Sequence, residues 1–407
     1  MSRIDELIAK LCPDGVEYKA IGDLGELVRG NGMPKSDFAD SGVGCIHYGQ
    51  IYTYYGVWAK ETRSFIPHEK AERLIKVYPG DLVITNTSEN VEDVCKAVAW
   101  LGDVQIVTGG HATVLKHDQD PKYLSYYLQT PRFFAEKKAL ATGTKVIEVT
   151  AKSLAKIKIP VPPLEVQREI VKVLDAFTQL EAELEAELEA RRRQYRHYRD
   201  ALFALGNQDV SWTTMAEVGE FFRGRRFTKD DYAPDGVECI HYGDIYTQYG
   251  VAATATVSHV RSDMMPILRF AKRGDVVIAG VGETVEDVGK AVAWLGDGEV
   301  AIHDDCFAFR HSLNPKFVSY YFQTTAFHAE KNKFVARAKV KRLSGESLGK
   351  LAIPVPPLAE QERIVAILDA FDALVSDLSC GLPAEIAARR RQYEHYRDRL
   401  LSFKEAS

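Results

Sequence analysis

The residues best suited to metal binding are two cysteine–histidine pairs. Cys45 and Cys239 each precede a histidine by two positions, His47 and His241, on predicted strands. Thiolate and imidazole groups bind zinc, but a structural zinc site needs four ligands, and the neighbouring sequence supplies no further cysteine–histidine pair. We therefore expect these residues to pack in the core, and we expect no bound metal.

Two other segments resemble catalytic motifs only superficially. Residues 13–19 contain acidic residues and a lysine, as metal-dependent nucleases do, but the acidic residues are very closely spaced. Residues 282–291 resemble a phosphate-binding loop, but six residues separate the glycines, and Ala291 stands where Ser or Thr should bind magnesium. The sequence also has no nucleophile elbow, no amino-methyltransferase motif and no glycine-rich cofactor loop. It therefore predicts no catalytic residues and no cofactors.

These segments belong to a long internal repeat. Residues 46–57 recur at 240–251 with only two differences. Three further segments also recur 194 residues later in the chain: 80–103, 122–130 and 159–164. Such a repeat indicates one structural unit present twice. We call residues 13–205 the first copy and residues 206–407 the second copy.

Each copy ends in a long predicted helix. After a Pro-Pro pair, which suits a first helical turn, apolar residues recur at steps of three and four, predicting a helix over about 163–203 and its equivalent in the second copy. Residues 191–195 recur at 389–393, which is 198 rather than 194 residues later, so four residues have been inserted. Gly381 and Pro383 predict a break or kink at this insertion. The two helices are expected to pack against each other as an antiparallel coiled coil.

The predicted fold class is α+β. Two similar α/β domains are separated by the two long helices, and the repeat suggests a pseudo-twofold arrangement. A molecule of this kind can present both domains to a partner with twofold symmetry, and duplex DNA is the commonest such partner. The expected segments are an N-terminal helical segment (1–12), a first domain (13–157), a central helix (158–205), a second domain (206–352) and a distal helix (353–407).

The repeated motifs resemble the specificity subunit of type I restriction-modification systems. The resemblance is carried by residues 11–18, by 159–175 and its copy at 353–369, and by 389–398, and it covers essentially the whole chain. It implies a non-catalytic protein with two target recognition domains, each of which binds one half of a bipartite double-stranded DNA sequence. It also implies that the helices set the gap between the half-sites and bind two modification (methyltransferase) subunits. Restriction subunits, the ATP-dependent translocase and nuclease, would join through the complex.

Candidate DNA-binding residues are the polar and aromatic side chains of the predicted loops. The copies differ at Gln50, which is replaced by Asp244, at Tyr54, which is replaced by Gln248, and in the segment 85–90. Such differences suit domains that recognise related but unequal sequences. The candidates of the first copy are Lys35, His47, Tyr48, Gln50, Tyr52, Tyr54, Asn86, Thr87, Ser88, His111 and Lys145. Those of the second copy are Arg225, Arg226, Lys229, His241, Tyr242, Asp244, Tyr246, Gln248, Glu283, Lys339 and Lys341.

The long helices supply candidate contacts with the partner subunits. These lie on the apolar stripe or in the motifs that carry the resemblance. They are Gln167, Ile170, Leu174 and Tyr195 in the first copy, and Gln361, Ile364, Leu368 and Tyr393 in the second.

The charge of the chain does not by itself indicate a DNA-binding protein. The formal net charge is −5, and the acidic excess falls mostly in the helices. Basic residues cluster at 223–229 and 331–342, and the first copy has fewer, with Lys137, Lys138 and Lys145. Local basic patches can bind phosphates whatever the total charge, so we expect DNA affinity to depend partly on partner subunits. No apolar run is long enough for a membrane span and no signal peptide is evident, so we expect a cytoplasmic protein.

Because the two domains are so similar, the half-sites should be related inverted sequences. Deleting 380–383 should change half-site spacing or assembly more than half-site identity. The alternatives are a coiled-coil adaptor without sequence-selective DNA binding and an enzyme that acts alone on DNA.

Overall fold

The computed structural model describes residues 3–204, 210–336, 340–376 and 381–406. The chain divides into two compact units. The first unit is Met1–Leu184 with Ile386–Ser407, and the second is Glu185–Glu385. Each unit therefore combines one globular domain with helical segments from both copies.

Fifteen helices are found among the described residues. Three of them are much longer than the others, with 40, 19 and 20 residues. They lie in the two regions where the sequence predicts long helices. The helices are α1 (Arg3–Leu11), α2 (Ile21–Leu24), α3 (Tyr48–Thr53), α4 (His68–Ala71), α5 (Pro121–Tyr127), α6 (Pro131–Leu140), α7 (Ala151–Leu154), α8 (Leu164–Phe203), α9 (Met215–Val218), α10 (Tyr242–Thr247), α11 (Pro315–Tyr321), α12 (Thr325–Lys331), α13 (Gly345–Gly349), α14 (Leu358–Ser376) and α15 (Gly381–Leu400). Short 3-10 helices lie at Lys35–Asp37, Lys229–Asp231 and Ser262–Ile267.

The strands of the first domain are short and mostly buried. They are β1 (Tyr18–Ala20), β2 (Gly25–Arg29), β3 (Val43–Ile46), β4 (Trp58–Ala59), β5 (Ser64–Ile66), β6 (Ile75–Val77), β7 (Leu82–Thr85), β8 (Thr87–Ser88), β9 (Ala97–Trp100), β10 (Ile106–Thr108), β11 (Ala112–His117), β12 (Ile147–Glu148) and β13 (Lys158–Pro160).

The second domain repeats this set of strands with one addition. They are β14 (Ser211–Thr214), β15 (Gly219–Arg223), β16 (Tyr232–Ala233), β17 (Val237–Ile240), β18 (Ala252–Ala253), β19 (Ser258–Val260), β20 (Phe270–Ala271), β21 (Val276–Ala279), β22 (Val281–Gly282), β23 (Ala291–Trp294), β24 (Val300–Ile302), β25 (Cys306–His311), β26 (Lys341–Arg342) and β27 (Ala352–Val355).

Both domains contain the same two main sheets. The first domain has a five-stranded sheet in the order β2-β11-β7-β9-β4 and a four-stranded sheet in the order β5-β3-β10-β6. The second domain has the orders β15-β25-β21-β23-β18 and β16-β19-β17-β24-β20. Every pairing of the first domain therefore recurs in the second, and β16 extends the smaller sheet by one strand.

The central sheet of each domain is buried on both faces. In the first unit, alternate residues of β7 face different clusters: Leu82 and Ile84 pack against the helices, and Val83 packs against the smaller sheet. In the second unit, Val276 and Ile278 of β21 lie on the helical face, and the residue between them lies on the sheet face. Side chains alternate along a strand, so one apolar run serves two cores. This explains why β7 and β21 read as continuous apolar segments.

Helix α8 extends over 40 residues without interruption, as the Pro-Pro pair and the apolar stripe predict. The equivalent region of the second copy contains α14 and α15 instead. Gly381, where α15 begins, has φ +77°, a conformation that suits glycine. Residues 377–380, including part of the segment 380–383, lie outside the described residues.

The long helices pack against each other in antiparallel pairs within each unit. In the first unit, Phe177 of α8 contacts Tyr393 and Tyr396 of α15. In the second unit, Tyr195 and Tyr198 of α8 contact Phe371 of α14. The predicted coiled coil is therefore present in both halves of α8. None of the helices in the described part of the chain combines the length and the apolar character that a membrane crossing requires.

Candidate nucleic-acid interface

A short helix begins at the same histidine in both domains. His47 caps α3: its Nδ1 accepts a hydrogen bond from the backbone N–H of Gly49 at 3.2 Å. His241 caps α10 through the N–H of Gly243 at 3.1 Å. Each histidine therefore lies just beyond its strand and not on a strand face with the preceding cysteine. Burial lowers the pKa of His47 to about 4, and positive charge at Lys35 adds to this effect.

The third residue of the helix completes each cap. Gln50 Oε1 accepts a hydrogen bond from the N–H of His47 at 3.2 Å, and Gln50 Nε2 donates to Ser64 Oγ at 2.7 Å. Asp244 Oδ2 accepts from the N–H of His241 at 3.1 Å. Such a capping box satisfies backbone donors that the helix leaves unpaired. The difference between Gln50 and Asp244 is therefore compatible with one shared structural role, and their contact with bases stays a prediction.

Aromatic rings surround the histidine in the first unit. The rings of His47 and Tyr48 lie 4.4 Å apart, and Tyr48 lies 5.0 Å from His111. His111 is exposed and has φ +68°, which is unusual for a residue with a side chain. The structure thus brings together three of the residues predicted from sequence, of which His47 itself is only 5% exposed.

The second unit has a related cluster built on a residue that the sequence did not single out. His303 lies 4.6 Å from the ring of His241 and 4.8 Å from that of Phe227, and Tyr242 lies 4.1 Å from His241. The position equivalent to His303 in the first copy is Gly109, so the repeat gave no signal for it. Burial, together with the nearby His303, lowers the pKa of His241.

Two acidic residues follow His303, but they already face arginines. Asp304 lies 3.4 Å from Arg223, and Asp305 lies 3.3 Å from Arg342. The His303 Nε2 atom is 3.0 Å from the carbonyl of Phe227. These ion pairs and this hydrogen bond account for the positions of His303, Asp304 and Asp305, and no bound metal ion is needed to explain them.

Asn86, Thr87 and Ser88 are buried, contrary to the expectation of an exposed DNA-binding loop. Asn86 is 1% exposed and the other two are 5% exposed. The Asn86 side chain donates to the carbonyl of Val149 at 2.9 Å and accepts from Thr113 Oγ1 at 2.7 Å. Thr87 and Ser88 form β8, which pairs with β12. Their polar groups lie inside the domain, so the assignment of these three residues to DNA binding is wrong for this conformation.

The second copy fills the equivalent part of its core with different residues. Gly280 replaces Asn86, and Phe307 replaces Thr113. A Cβ at Gly280 would lie 2.7 Å from the Phe307 ring, so the aromatic ring needs the glycine beside it. The divergence of these segments therefore reflects core packing, at least in part. Glu283, further along the same segment, is exposed.

One pair of exposed positions differs in chemistry between the copies. Tyr54 is 55% exposed, and the Arg63 guanidinium lies 4.5 Å from the centre of its ring. The equivalent residues in the second copy are Gln248 and Val257, both exposed. Arg63 was missed from the sequence because only the structure places it over Tyr54. Tyr52 and Tyr246, by contrast, are half-buried, and the Tyr246 hydroxyl donates to the carbonyl of Val281.

The basic candidates divide into exposed and buried groups. Lys137 and Lys331 are 3% and 0% exposed, and each ammonium donates to backbone carbonyls, those of Glu92 and Val94 for Lys137. Burial lowers the pKa of Lys331 to about 8. These two lysines therefore cannot contact phosphates, contrary to the basic patches predicted from sequence. The exposed basic candidates are Lys35, Lys145, Arg225, Arg226 and Lys229. Lys341 is half-buried in β26, and Lys339 lies outside the described residues.

The predicted partner-binding residues of the helices face their own unit. Ile170, Leu174 and Gln167 are 0% exposed. The second copy shows the same pattern at Gln361, Ile364 and Leu368, and Tyr195 is 7% exposed. Tyr393 is half-buried against Phe177 and Tyr126. Because the seven buried side chains are already covered, they attach the helices to the domains, and their assignment as contacts with other subunits is corrected. The assignment of half-buried Tyr393 stays a prediction.

The attachment of domain to helix is polar as well as apolar. In the first unit, Asp175 of α8 accepts from Lys122 Nζ at 2.7 Å and from the Tyr126 hydroxyl at 2.9 Å. In the second unit, Asp369 of α14 accepts from Lys316 at 2.8 Å and from Tyr320 at 2.7 Å. This repeated clamp fixes each domain on its helix, and with it the orientation of the surface formed by α3 or α10.

Comparisons with known proteins agree with this architecture. The profile described as "Type I restriction modification DNA specificity domain" matches residues 13–190 and again 207–388. A putative type I restriction enzyme specificity subunit of Haemophilus influenzae is 30% identical over 302 residues, covering 72% of this chain and 75% of that protein. The specificity subunit of an Escherichia coli type I restriction enzyme is 31% identical over 300 residues, covering 69% and 70%.

Solved structures share the fold at low sequence identity. A chain from a study of complex assembly in the type I R-M system superposes with a TM-score of 0.66 at 20% identity, covering 96% of this chain and 98% of that one. The type I restriction-modification S subunit of M. genitalium gives a TM-score of 0.50 at 14% identity, covering 95% and 96%. With the profile matching both copies, this chain belongs to the family of type I restriction-modification DNA specificity proteins.

Proposed function

We propose that this chain is the DNA specificity subunit of a type I restriction-modification complex in the cytoplasm. Each domain would bind one half of a bipartite target in duplex DNA, and the long helices would set the gap between the half-sites. Methyl transfer and DNA cleavage would belong to other subunits, two modification subunits among them, and this chain would catalyse neither reaction.

The observation that carries this proposal is the repeated domain whose exposed positions differ. Sheet order, helix caps and domain–helix clamps are the same in both units. Within this shared structure, the exposed pair Tyr54 and Arg63 of the first copy is replaced by Gln248 and Val257 in the second. An arginine can donate two hydrogen bonds to guanine in the major groove, whereas glutamine suits adenine and valine offers only apolar contact. The surface therefore has the means to distinguish base pairs at equivalent places in two half-sites.

The exposed basic residues suit phosphate contacts that position each domain. Lys35 and Lys229 occupy equivalent positions in the two copies, and the charge of Lys35 acts on His47, which caps α3. Arg225 and Arg226 have no basic equivalent in the first copy, where Asn31 and Gly32 stand. Phosphate contacts provide affinity without sequence information, so we propose that the second domain binds the DNA backbone more strongly than the first.

Exchanging the divergent pair between copies tests the proposal. The chain is co-expressed with the modification subunit of its system, and the methylated motif is determined by sequencing. The variant Tyr54→Gln/Arg63→Val should alter or relax one half-site and leave the other unchanged. The matched variant Gln248→Tyr/Val257→Arg should affect only the other half-site.

Two results would contradict the proposal. An adaptor without sequence-selective binding would yield no defined methylation motif in the wild-type complex. Methylation or cleavage of DNA by the isolated chain, supplied with magnesium, S-adenosylmethionine and ATP, would show that it is an enzyme.

A further inference from the structure

The second domain presents two large aliphatic side chains to solvent. Met265 is 58% exposed, Ile267 is 61% exposed, and Pro266 between them is exposed as well. All three lie in the short 3-10 helix Ser262–Ile267. Single exposed apolar residues are common, but these three adjacent residues form one apolar patch, which we call the apolar tip. An exposed patch of this kind suits contact with a partner.

The apolar tip is held firmly on the smaller sheet of its domain. The residues on either side of it, Met264 and Leu268, are 7% and 8% exposed and pack in one core cluster with Phe227. The ring of Pro266 also fixes its own backbone φ. The exposed side chains therefore project from a backbone that is anchored at both ends, and this lowers the entropic cost of inserting them into a partner.

The apolar tip lies at the same end of the smaller sheet as the histidine-capped helix α10. Strands β17 and β24 are parallel, and they end directly before His241 and His303. Strand β20 is antiparallel to β24, so β20 begins at that end, where the N–H of Ile302 donates to the carbonyl of Arg269 at 3.0 Å. Ile267 precedes Arg269 by two residues. The tip is therefore beside the candidate interface.

Three arginines without carboxylate partners lie around this end of the sheet. Arg225 forms a backbone bridge with His303, and Arg226 follows it in the chain. Arg269 Nη1 donates to the carbonyl of Arg223 at 3.0 Å. Arg225, Arg226 and Arg269 are exposed, and none of them forms an ion pair within the part of the chain that the structure describes. Unpaired positive charges at a surface attract a polyanion such as duplex DNA.

The carboxylates of the 3-10 helix and of the turn between β24 and β25 are already paired. Asp263 lies 3.6 Å from Arg261, and Asp231 lies 3.1 Å from the same guanidinium. Asp304 and Asp305 face arginines of their own. The three unpaired arginines therefore set the sign of the charge beside the apolar tip.

The first domain has no such tip. Ala71 and Arg73 stand where the second copy has Met265 and Ile267. Ala71 is 3% exposed, and Arg73 is exposed. A partner present twice, such as a modification subunit, would find the apolar tip on one domain only. Two unequal half-sites of one DNA supply a different partner to each domain, so the difference between the copies favours DNA.

Isoleucine, methionine and proline flanked by arginine can enter DNA from the minor groove, where they partly unstack one base-pair step and kink the duplex. We infer that Met265 and Ile267 unstack one base-pair step of the half-site bound by the second domain, whereas the first domain leaves its half-site stacked. This inference rests on the proposed function and adds a deformation of the DNA in one half-site. Pyrimidine–purine steps unstack most readily, so the affected step should be TA or CA/TG.

The test uses the full-length chain co-expressed with the modification subunit, and duplexes of its methylated motif in which 2-aminopurine replaces one adenine at a time. The fluorescence of 2-aminopurine rises when the base loses its stacking. Methyltransferases flip the base that they modify, so a rise at the methylated adenine is set aside. Binding of the wild-type complex should give a further rise at one step, in the half-site that responds to Gln248→Tyr/Val257→Arg.

The variant Met265→Ala/Ile267→Ala should abolish this further rise and weaken binding about tenfold. The rise at the methylated adenine should persist, which shows that the complex still assembles on the DNA. The salt dependence of binding should not change, because no charge is removed. Both side chains are exposed, so the unfolding midpoint should equal that of wild type.

Val104→Ala is the matched control. Val104 is 66% exposed and lies in the turn between β9 and β10 of the first domain, at the opposite end of β10 from His47. This variant should change neither the fluorescence nor the affinity. In contrast, Arg225→Gln/Arg226→Gln should lower the slope of log K against log salt by about 2 and keep the further rise at saturating protein.

The possible outcomes separate the inference from the proposed function. A further rise that persists in the double alanine variant, or its absence in the wild-type complex, would overturn the inference and leave the proposed function intact. Loss of modification subunits from the double alanine variant, measured by native mass spectrometry, would also overturn it, because the apolar tip would then contact protein. A wild-type complex without a defined methylation motif would overturn both.

Discussion

The ring of Phe177 stacks on the ring of Tyr396, with centroids 5.4 Å apart and planes inclined at 25°. The equivalent residues in the other unit, Phe371 and Tyr198, stack at 5.5 Å and 27°. Each pair joins a helix of one copy to a helix of the other copy. The aromatic contact is therefore repeated within each unit, although the second copy contains a four-residue insertion.

We predict that Phe177→Ala and Phe371→Ala destabilise the protein by similar amounts. Removing a half-buried aromatic ring from a packed seam should cost about 2 kcal/mol in the free energy of unfolding. Urea unfolding of the two variants gives the measurement. A loss in one variant that is several times larger than in the other would show that the two seams are not equivalent.

The buried glutamines at the start of the long helices give a second prediction. Gln167 Oε1 accepts from the N–H of Asp120 at 3.0 Å, and its Nε2 donates to the carbonyl of Pro162 at 2.7 Å. Gln361 makes the same two contacts, with Asn314 at 2.8 Å and Pro356 at 2.8 Å. Each glutamine thus ties the first turn of a long helix to the loop before α5 or α11.

Replacing either glutamine with leucine should destabilise the protein by about 2–3 kcal/mol, because a buried backbone donor and a buried acceptor would lose their partners. Thermal or urea unfolding provides the measurement. The nearby Lys172→Met, on the exposed face of α8, serves as the control and should change the unfolding free energy by less than about 0.5 kcal/mol. A Gln167→Leu variant as stable as this control would contradict the prediction.

Much of the fold was predictable because the sequence contains one structural unit twice, so the two copies can be compared with each other. The apolar stripe after the Pro-Pro pair located α8, and Gly381 with Pro383 predicted a break or kink in the region where α15 begins. The candidate interface was less predictable, because a sequence difference does not say whether a side chain is exposed. Asn86, which is replaced by Gly280 in the second copy, is buried and hydrogen-bonded to Thr113, a residue distant in sequence. Gln167 and Leu174 were assigned to contacts with partner subunits because an apolar stripe shows which helix face is covered but not which part of the protein covers it.

His328 gives a prediction on pH. Burial lowers its pKa to about 4, and the positive charges of Lys331 and Arg199 add to this effect, against weaker opposing contributions from Glu286 and Asp200. Between about pH 6.5 and pH 4 the unfolded chain binds a proton at this residue and the folded chain does not. Stability must therefore fall as the pH falls through this window, and the contribution levels off below the folded pKa.

The first copy supplies the matched substitution, because Phe134 stands at the equivalent position. The difference in unfolding free energy between His328→Phe and wild type should shift in favour of the variant by about 2 kcal/mol on going from about pH 7 to about pH 4. Urea unfolding of both proteins at the two pH values measures it, and titrating groups that do not interact with His328 cancel in the difference. A difference that does not change with pH would show that the folded protein does not lower the pKa of His328.

The similarity of the domains predicts the form of the DNA target. The histidine caps, the neighbouring Tyr48 and Tyr242, and the sheet order are shared, so both domains should approach DNA in the same way. Two like domains that bind one duplex in inverted orientation recognise inverted sequences. Their differences, such as Tyr54 against Gln248, should then make the half-sites unequal at a few base pairs. We therefore expect methylome sequencing of the host strain to give an imperfect palindrome interrupted by a fixed gap. Half-sites with no inverted relationship would mean that the few exposed differences outweigh the shared framework, and that the constant residues act in folding alone.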